Sequence, residues 1–153
     1  MTSESTTTIL EELDHPERSA HTRRFSLGRP RSYAVASSGD LVLFLRSRGP
    51  LDPVLHLWAV DVSGGKERLV VDAGGLLADG DDLPAEERAR RERARESASG
   101  IVQYSVSADG AVAAFTVAGQ LYSVVVASGE VTLESAPLGA YDPHVDPTGT
   151  RIG

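Results

Sequence analysis

The sequence predicts an all-β fold: the first two blades and part of a third of a β-propeller, with one charged helix inserted at about 84–97. Three observations predict it. Short alternating or apolar runs rich in Val and Leu are separated by glycine-bearing turns. Aromatic and glycine residues recur at fixed offsets, the mark of repeated supersecondary units. Only the stretch LPAEERARRERARES, Leu83 to Ser97, carries a helical rather than a strand signature.

Residues 1–30 form a polar N-terminal arm, in which Thr8-Ile9-Leu10-Glu11 fits a capping box and Pro16 closes the short helical run; the arm is expected to be frayed. The first blade is read over 31–73. SYAVASSGDLVLFLRS supplies a strand, a turn around Gly39 and an apolar strand from Leu41 to Leu45, and HLWAVDV, Ser63-Gly64-Gly65 and KERLVVD supply a second hairpin. Residues 74–100 are an inter-blade insertion holding the helix, 101–136 the second blade and 137–153 the start of a third.

The repeat rests on particular residues. Tyr33 and Tyr104 lie six residues before Gly39 and Gly110, and Phe44 and Phe115 lie five after them. Trp58 and Tyr122 each stand seven before Gly65 and Gly129, and a third unit opens at AYDPHVDPTGTRIG, with Tyr141 before Gly149. A plain β-sandwich also spaces its strands regularly, but it gives no reason for the aromatic and glycine offsets to repeat. Because propellers close with roughly 4 to 8 blades, two blades and a fragment leave apolar faces open. The sequence is therefore expected to be part of a larger protein, and alone to aggregate or form homo-oligomers.

Composition narrows the function classes. Fifteen basic against 22 acidic residues give a net charge of -7, which disfavours a phosphate-tracking surface and hence nucleic acid. The absence of cysteine removes disulfides and thiolate metal sites, and no apolar run approaches the ~18 residues of a membrane span. The first twenty residues lack the apolar core of a signal peptide, so a cytoplasmic location without membrane contact is expected.

Catalytic motifs are missing too. There is no G-x-S-x-G elbow and no phosphate loop. His15, His21, His56 and His144 lack metal-site spacing and read as surface or loop residues, with no metal or cofactor expected. Asp81-Asp82 lacks the further ligands of a calcium loop, and Asp142 and Asp146 read as turn-capping residues.

The helix remains. Glu86, Glu87, Glu92 and Glu96 against Arg88, Arg90, Arg91, Arg93 and Arg95 leave a local charge of only +1, so it is no basic patch. Pairs such as Glu86 with Arg90 favour helix by ~0.2 to 0.5 kcal/mol each. Successive rotations of about 100° align Arg88, Arg91 and Arg95 in one cationic stripe. The stripe is either a solvated surface or three guanidinium forks offered to carboxylates and peptide carbonyls. The spacing between Gly39 and Gly110 is 71 residues, against 39 between Gly110 and Gly149, which makes the helix an insertion between blades.

Together, TRRFSLGRPRSYAV, LVLFLRSR, LWAVDV, the helix LPAEERARRERARE and GIVQYSVSADGAVAAF resemble the N-terminal propeller of bacterial dipeptidyl peptidase IV-like serine peptidases of the prolyl oligopeptidase family. The resemblance runs from about Thr22 to the end, and its most specific part is the junction of the helix with GI-x-x-Y. It implies a parent enzyme with a propeller of about eight blades and a C-terminal α/β-hydrolase domain that carries the Ser, Asp and His of the triad. The propeller would restrict access to short peptides, and paired glutamates from a later blade would bind the substrate amino terminus. Glu86-Glu87 belongs to the inserted helix and is not that pair. The family also places a propeller arginine near the substrate carbonyl, for which Arg88, Arg91 and Arg95 are the candidates. This chain would then gate and orient substrate, with no catalytic residue of its own. The competing reading is a non-enzymatic propeller module that binds a protein partner; a third is a truncated product without activity.

Overall fold

In the computed structural model, which describes residues 10–78, 100–136 and 139–153, the strand-and-turn pattern folds into two four-stranded antiparallel sheets. The first contains β1 (Arg31–Val35), β2 (Leu41–Arg46), β3 (His56–Asp61) and β4 (Glu67–Val71), paired in chain order. The second repeats that order with β5 (Tyr104–Val106), β6 (Val112–Val117), β7 (Gln120–Val125) and β8 (Glu130–Leu133). Two successive up-and-down sheets are the arrangement of consecutive propeller blades. The repeated aromatics are cross-strand partners in both: Phe44 faces Trp58 and Phe115 faces Tyr122. That pairing is what the matched offsets encode.

Glycine ties the turns together. Gly39, Gly110 and Gly149 have φ values of 77°, 76° and 73°, so the same left-handed turn opens each unit. In the third unit Val145 bridges Ile152, and His144 and Gly153 exchange backbone hydrogen bonds, which starts another hairpin. Tyr141 does not take the place of Tyr33 and Tyr104. The residue six before Gly149 is Pro143, and Tyr141 stands exposed.

The sheets pack face to face. Leu43, Leu45, Leu57 and Ala59 from the first meet Ala113, Phe115, Val117 and Val124 from the second, all essentially excluded from solvent. Strand alternation assigns these sides: odd-numbered β2 residues face the second sheet, while Phe44 points to the other side. Polar groups also cross the junction. The Tyr104 hydroxyl donates to the Ser32 carbonyl at 2.7 Å, the Ser37 N–H to the Ala108 carbonyl at 2.7 Å, and the Arg68 guanidinium to the Val126 carbonyl at 2.7 Å. Burial pushes the Tyr104 phenol well above its ordinary value, so it stays a donor at any physiological pH.

The N-terminal arm differs from expectation. Helical residues 10–12 do end ahead of Pro16, as expected, but Pro16 itself belongs to a second helix: α1 runs His15–His21, with Asp14 as N-cap and Pro16 in its first turn. The physical reason is that the first turn needs no N–H from proline, and a capping box joins Asp14 to Glu17. The expected box at Thr8 lies outside the described residues. Beyond α1 the arm is fastened to the first sheet, because the Gly28 N–H donates to Ser47 Oγ at 2.8 Å and Leu27 is buried.

Turn carboxylates act as local caps. Asp146 accepts the Thr148 hydroxyl and the backbone N–H groups of Thr150 and Arg151, and these bonds hold its carboxyl down at about 2. A carboxyl with a depressed native pKa adds stability that is complete above its unfolded value of 3.8 and fades as pH falls toward 2. Carbon-detected titration of Asp146 should therefore show half-protonation near pH 2 in the chain. Thr148→Ala should move that midpoint up toward 3.8, and an unchanged midpoint would contradict the capping role.

Candidate functional site

The described residues on either side of 79–99 meet the first sheet at one end. After β4, Asp72 leads into a short helix, α2 (Ala73–Ala78), and the chain returns at Gly100, which pairs in parallel with Leu55. Gly100 has φ +80°, and a side-chain carbon there would lie 2.4 Å from the Leu55 carbonyl oxygen. Only glycine permits this approach. Next comes Ile101, fully buried in the core, with its N–H donated to the same Leu55 oxygen at 2.9 Å. The Gly-Ile of the sequence junction is thus anchored on Leu55, just ahead of β3.

Beside it lies a histidine between two carboxylates. His56 opens β3 and is buried, which corrects the reading of the histidines as surface or loop residues; His15, His21 and His144 do remain exposed. The reason is register. Leu57 pairs with Val71, so the next positions outward, His56 and Asp72, fall together at the sheet end. Nδ1 accepts the Ala73 N–H at 3.1 Å, which assigns the ring proton to Nε2, 3.4 Å from Asp52 Oδ2. Asp72 Oδ1 lies 3.3 Å from Nδ1 and accepts the Gly74 N–H at 3.0 Å, while its Oδ2 accepts Arg48 at 2.7 Å. Asp52 is held by the N–H groups of Arg48 and Val54.

These atoms resemble the base and orienter of a hydrolase, but the chemistry stops there. The neighbouring hydroxyl, Ser47 Oγ, accepts the Gly28 N–H and donates to the Gly49 carbonyl at 3.0 Å, so it is bound into the arm junction. Among the described residues no group of three or more His, Cys, Asp or Glu side chains could hold a metal. What the cluster does is fix the root of the insertion: β4, α2 and the loop between β2 and β3 are joined through one imidazole. Replacing His56 by Ala should cost about 2 to 4 kcal/mol, because it leaves the buried Ala73 N–H unpaired and opens a cavity. Amide exchange at Ala73 and Gly74 should accelerate more than exchange in β6; equal acceleration everywhere would refute a local fastening.

Arg88, Arg91 and Arg95 lie outside the described residues, as do Asp81 and Asp82. The cluster of Arg48, Asp52, His56 and Asp72 is not among the residues that the sequence singles out. The hairpin register about Ser63-Gly64-Gly65, extended from Val60 and Glu67, sets residue 56 opposite residue 71, and only the register shift between Leu57 and Trp58 brings His56 level with Asp72, so spacing alone does not find the cluster.

The opposite end of the sheets holds a cleft of about 350 Å³ between the turns, where Asp40, Asp61, Asp109 and Arg68 meet. Its carboxylates are occupied locally. The Ser63 hydroxyl, with the Gly64 and Ser63 N–H groups, holds Asp61 below the usual carboxylate range, and the Ser107 hydroxyl does most to lower Asp109. Arg68 bridges to the second sheet.

No family model matches the chain. Its fold is similar to that of TolB from Acinetobacter baumannii, with a TM-score of 0.51 and 13% identity over 82% of this chain and 26% of that one. It is also similar to a structure from a structural and mechanistic analysis of two prolyl endopeptidases, with a TM-score of 0.56 and 15% identity over 97% of this chain and 20% of that one. Both neighbours are propeller proteins, and the chain folds as part of a β-propeller. It spans about a quarter and a fifth of their lengths.

Proposed function

We propose that this chain is propeller sequence from a dipeptidyl peptidase IV-like serine exopeptidase, in which it helps gate and orient short peptides for a separate α/β-hydrolase domain. The supporting observation is the junction at Gly100-Ile101. The residues that carry the sequence resemblance are those that the fold requires where the arginine-bearing insertion rejoins the sheet, and the fold is one that a prolyl endopeptidase shares. In the reaction of the parent enzyme, a serine of the hydrolase domain attacks the scissile carbonyl, a histidine takes its proton, and a dipeptide leaves from the amino terminus. The propeller's share is positioning, which lowers the barrier without contributing a bond-making group. Arg88, Arg91 and Arg95 are the proposed substrate contacts, and the cytoplasm is the proposed location.

A polypeptide that joins this chain to its hydrolase domain should release dipeptides from peptides with a free amino terminus and spare N-acetylated ones. Arg91→Ala in it should raise KM several-fold with an unchanged melting temperature, while the 153-residue chain alone should show no turnover. Activity of the chain alone, or no peptidase activity in the longer polypeptide, would overturn the reading. The second reading, a non-enzymatic propeller that binds a protein partner, is favoured by the comparable likeness to TolB. It requires that a serine-directed fluorophosphonate leave the longer polypeptide unlabelled.

A further inference from the structure

We infer that Ser26 is a phosphorylation site, the acceptor hydroxyl for an arginine-directed serine kinase. The inference rests on the N-terminal arm and is independent of the peptidase reading.

The sequence around Ser26 is charged in one sense. Residues 18–31 carry five arginines and no carboxylate, in a chain whose net charge is -7. Within RRFSL, Arg23 and Arg24 stand three and two places before the serine, and Leu27 stands one place after it. Kinases select substrates by charge pattern. A carboxylate-lined cleft takes two successive guanidinium forks in two-pronged contacts, and the apolar residue after the acceptor suits a hydrophobic pocket beside the phosphate.

The backbone holds this stretch in a shape that costs it strain. Arg23, Arg24 and Phe25 have φ values of 47°, 59° and 59°, three successive non-glycine residues in the left-handed region. Each carries strain that an extended backbone would release. The bonds that hold the turn are local: the Phe25 N–H donates to Thr22 Oγ1 at 2.9 Å, the Ser26 N–H to the Thr22 carbonyl at 3.0 Å, and the Ser26 hydroxyl to the Arg23 carbonyl at 2.7 Å. None of these three bonds belongs to the ladder of either sheet, so the turn can open into a kinase cleft while β1 to β4 stay paired. Opening lifts Leu27 from the arm junction, and the pocket that receives it restores its burial.

The neighbouring hydroxyls do not combine these features. Thr22 is buried, and its hydroxyl donates to the Arg18 carbonyl at 2.6 Å. Ser19 lies inside α1 and follows Glu17-Arg18, which offers an acidic cleft one like charge. Ser32 follows Arg29 and Arg31 but belongs to β1, and its carbonyl accepts the Tyr104 hydroxyl that joins the two sheets, so its presentation would open the blade junction.

The reaction is phosphoryl transfer from a nucleoside triphosphate that the kinase holds as its magnesium complex. Ser26 Oγ attacks the γ-phosphorus, the new Oγ–P bond replaces the bond to the β–γ bridging oxygen, the nucleoside diphosphate leaves, and the hydroxyl proton passes to the kinase's catalytic carboxylate. The product carries a charge of about −1.5 to −2 at neutral pH, can no longer donate to the Arg23 carbonyl, and has the guanidiniums of Arg23 and Arg24 as near counter-ions.

The test incubates the folded 153-residue chain, and separately a peptide of residues 18–31, with magnesium ATP and the catalytic subunit of cyclic-AMP-dependent protein kinase, and locates the phosphate by peptide mass spectrometry. Ser26 should be the residue labelled in the folded chain, with kcat/KM within about a hundredfold of that for the peptide, and Ser26→Ala should abolish labelling of the arm. Arg23→Ala should lower kcat/KM by at least about tenfold in both chain and peptide. The peptide has no fold to lose, so a parallel loss in it reports recognition of the guanidinium. Labelling of Ser19 or Ser32 in place of Ser26, a folded chain slower than the peptide by more than about a hundredfold, or indifference to Arg23→Ala would each overturn the inference.

Discussion

Replacing Gly100 by alanine is expected to destabilise the chain by about 3 to 5 kcal/mol, among the largest losses that a single methyl group can cause. Two costs combine. A non-glycine residue at φ +80° loses roughly 1 to 2 kcal/mol on conformational grounds alone. The new carbon would also lie 2.4 Å from the Leu55 oxygen and 2.8 Å from the Leu55 nitrogen, which are backbone atoms with no rotamer to escape into. Relief requires the 100–101 segment to lift away from Leu55, which breaks the Ile101 hydrogen bond and shifts a fully buried side chain. The melting temperature should fall by roughly 10 °C. Gly39→Ala supplies the control, since Gly39 has nearly the same φ but open space around it, and its loss should stay near ~1 kcal/mol. Similar losses at the two positions would show that contact with Leu55 is not the cause.

Phe115→Ala is the second large effect, with an expected cost of about 3 to 5 kcal/mol. The ring is completely buried, stacks on Tyr122 at 5.6 Å with an interplanar angle of 11°, and belongs to the core shared by both sheets. Its removal leaves a cavity between two sheets whose hydrogen-bonded ladders resist collapse. Phe44→Ala deletes the counterpart ring on the outer face, where Tyr33 and Arg46 can close over the gap, and it should cost less. Urea unfolding of both variants measures the difference. A loss at Phe44 equal to that at Phe115 would contradict the placement of the core between the sheets.

The blade pattern is legible in the residues because it is written in short-range terms. Alternation and turn glycines depend on residues a few positions apart, so spacing marks Phe44, Trp58, Phe115 and Tyr122 as repeated positions, while their cross-strand pairing is set by the sheet register. Pro16 is ambiguous at that level, because proline is compatible with either side of a helix boundary and only the Asp14 cap decides for the start. The burial of His56 escapes spacing altogether, since burial at a sheet end depends on what comes back to cover it.

By itself, then, the sequence determined the all-β class, the two repeated units and the insertion between them. The tertiary structure alone decided that Gly100 must be glycine and that His56 is enclosed by Asp52 and Asp72. The first set follows from local periodicity. The second depends on partners such as Gly100 with Leu55 and Asp72 with His56, which lie far apart along the chain and which only packing brings within contact distance.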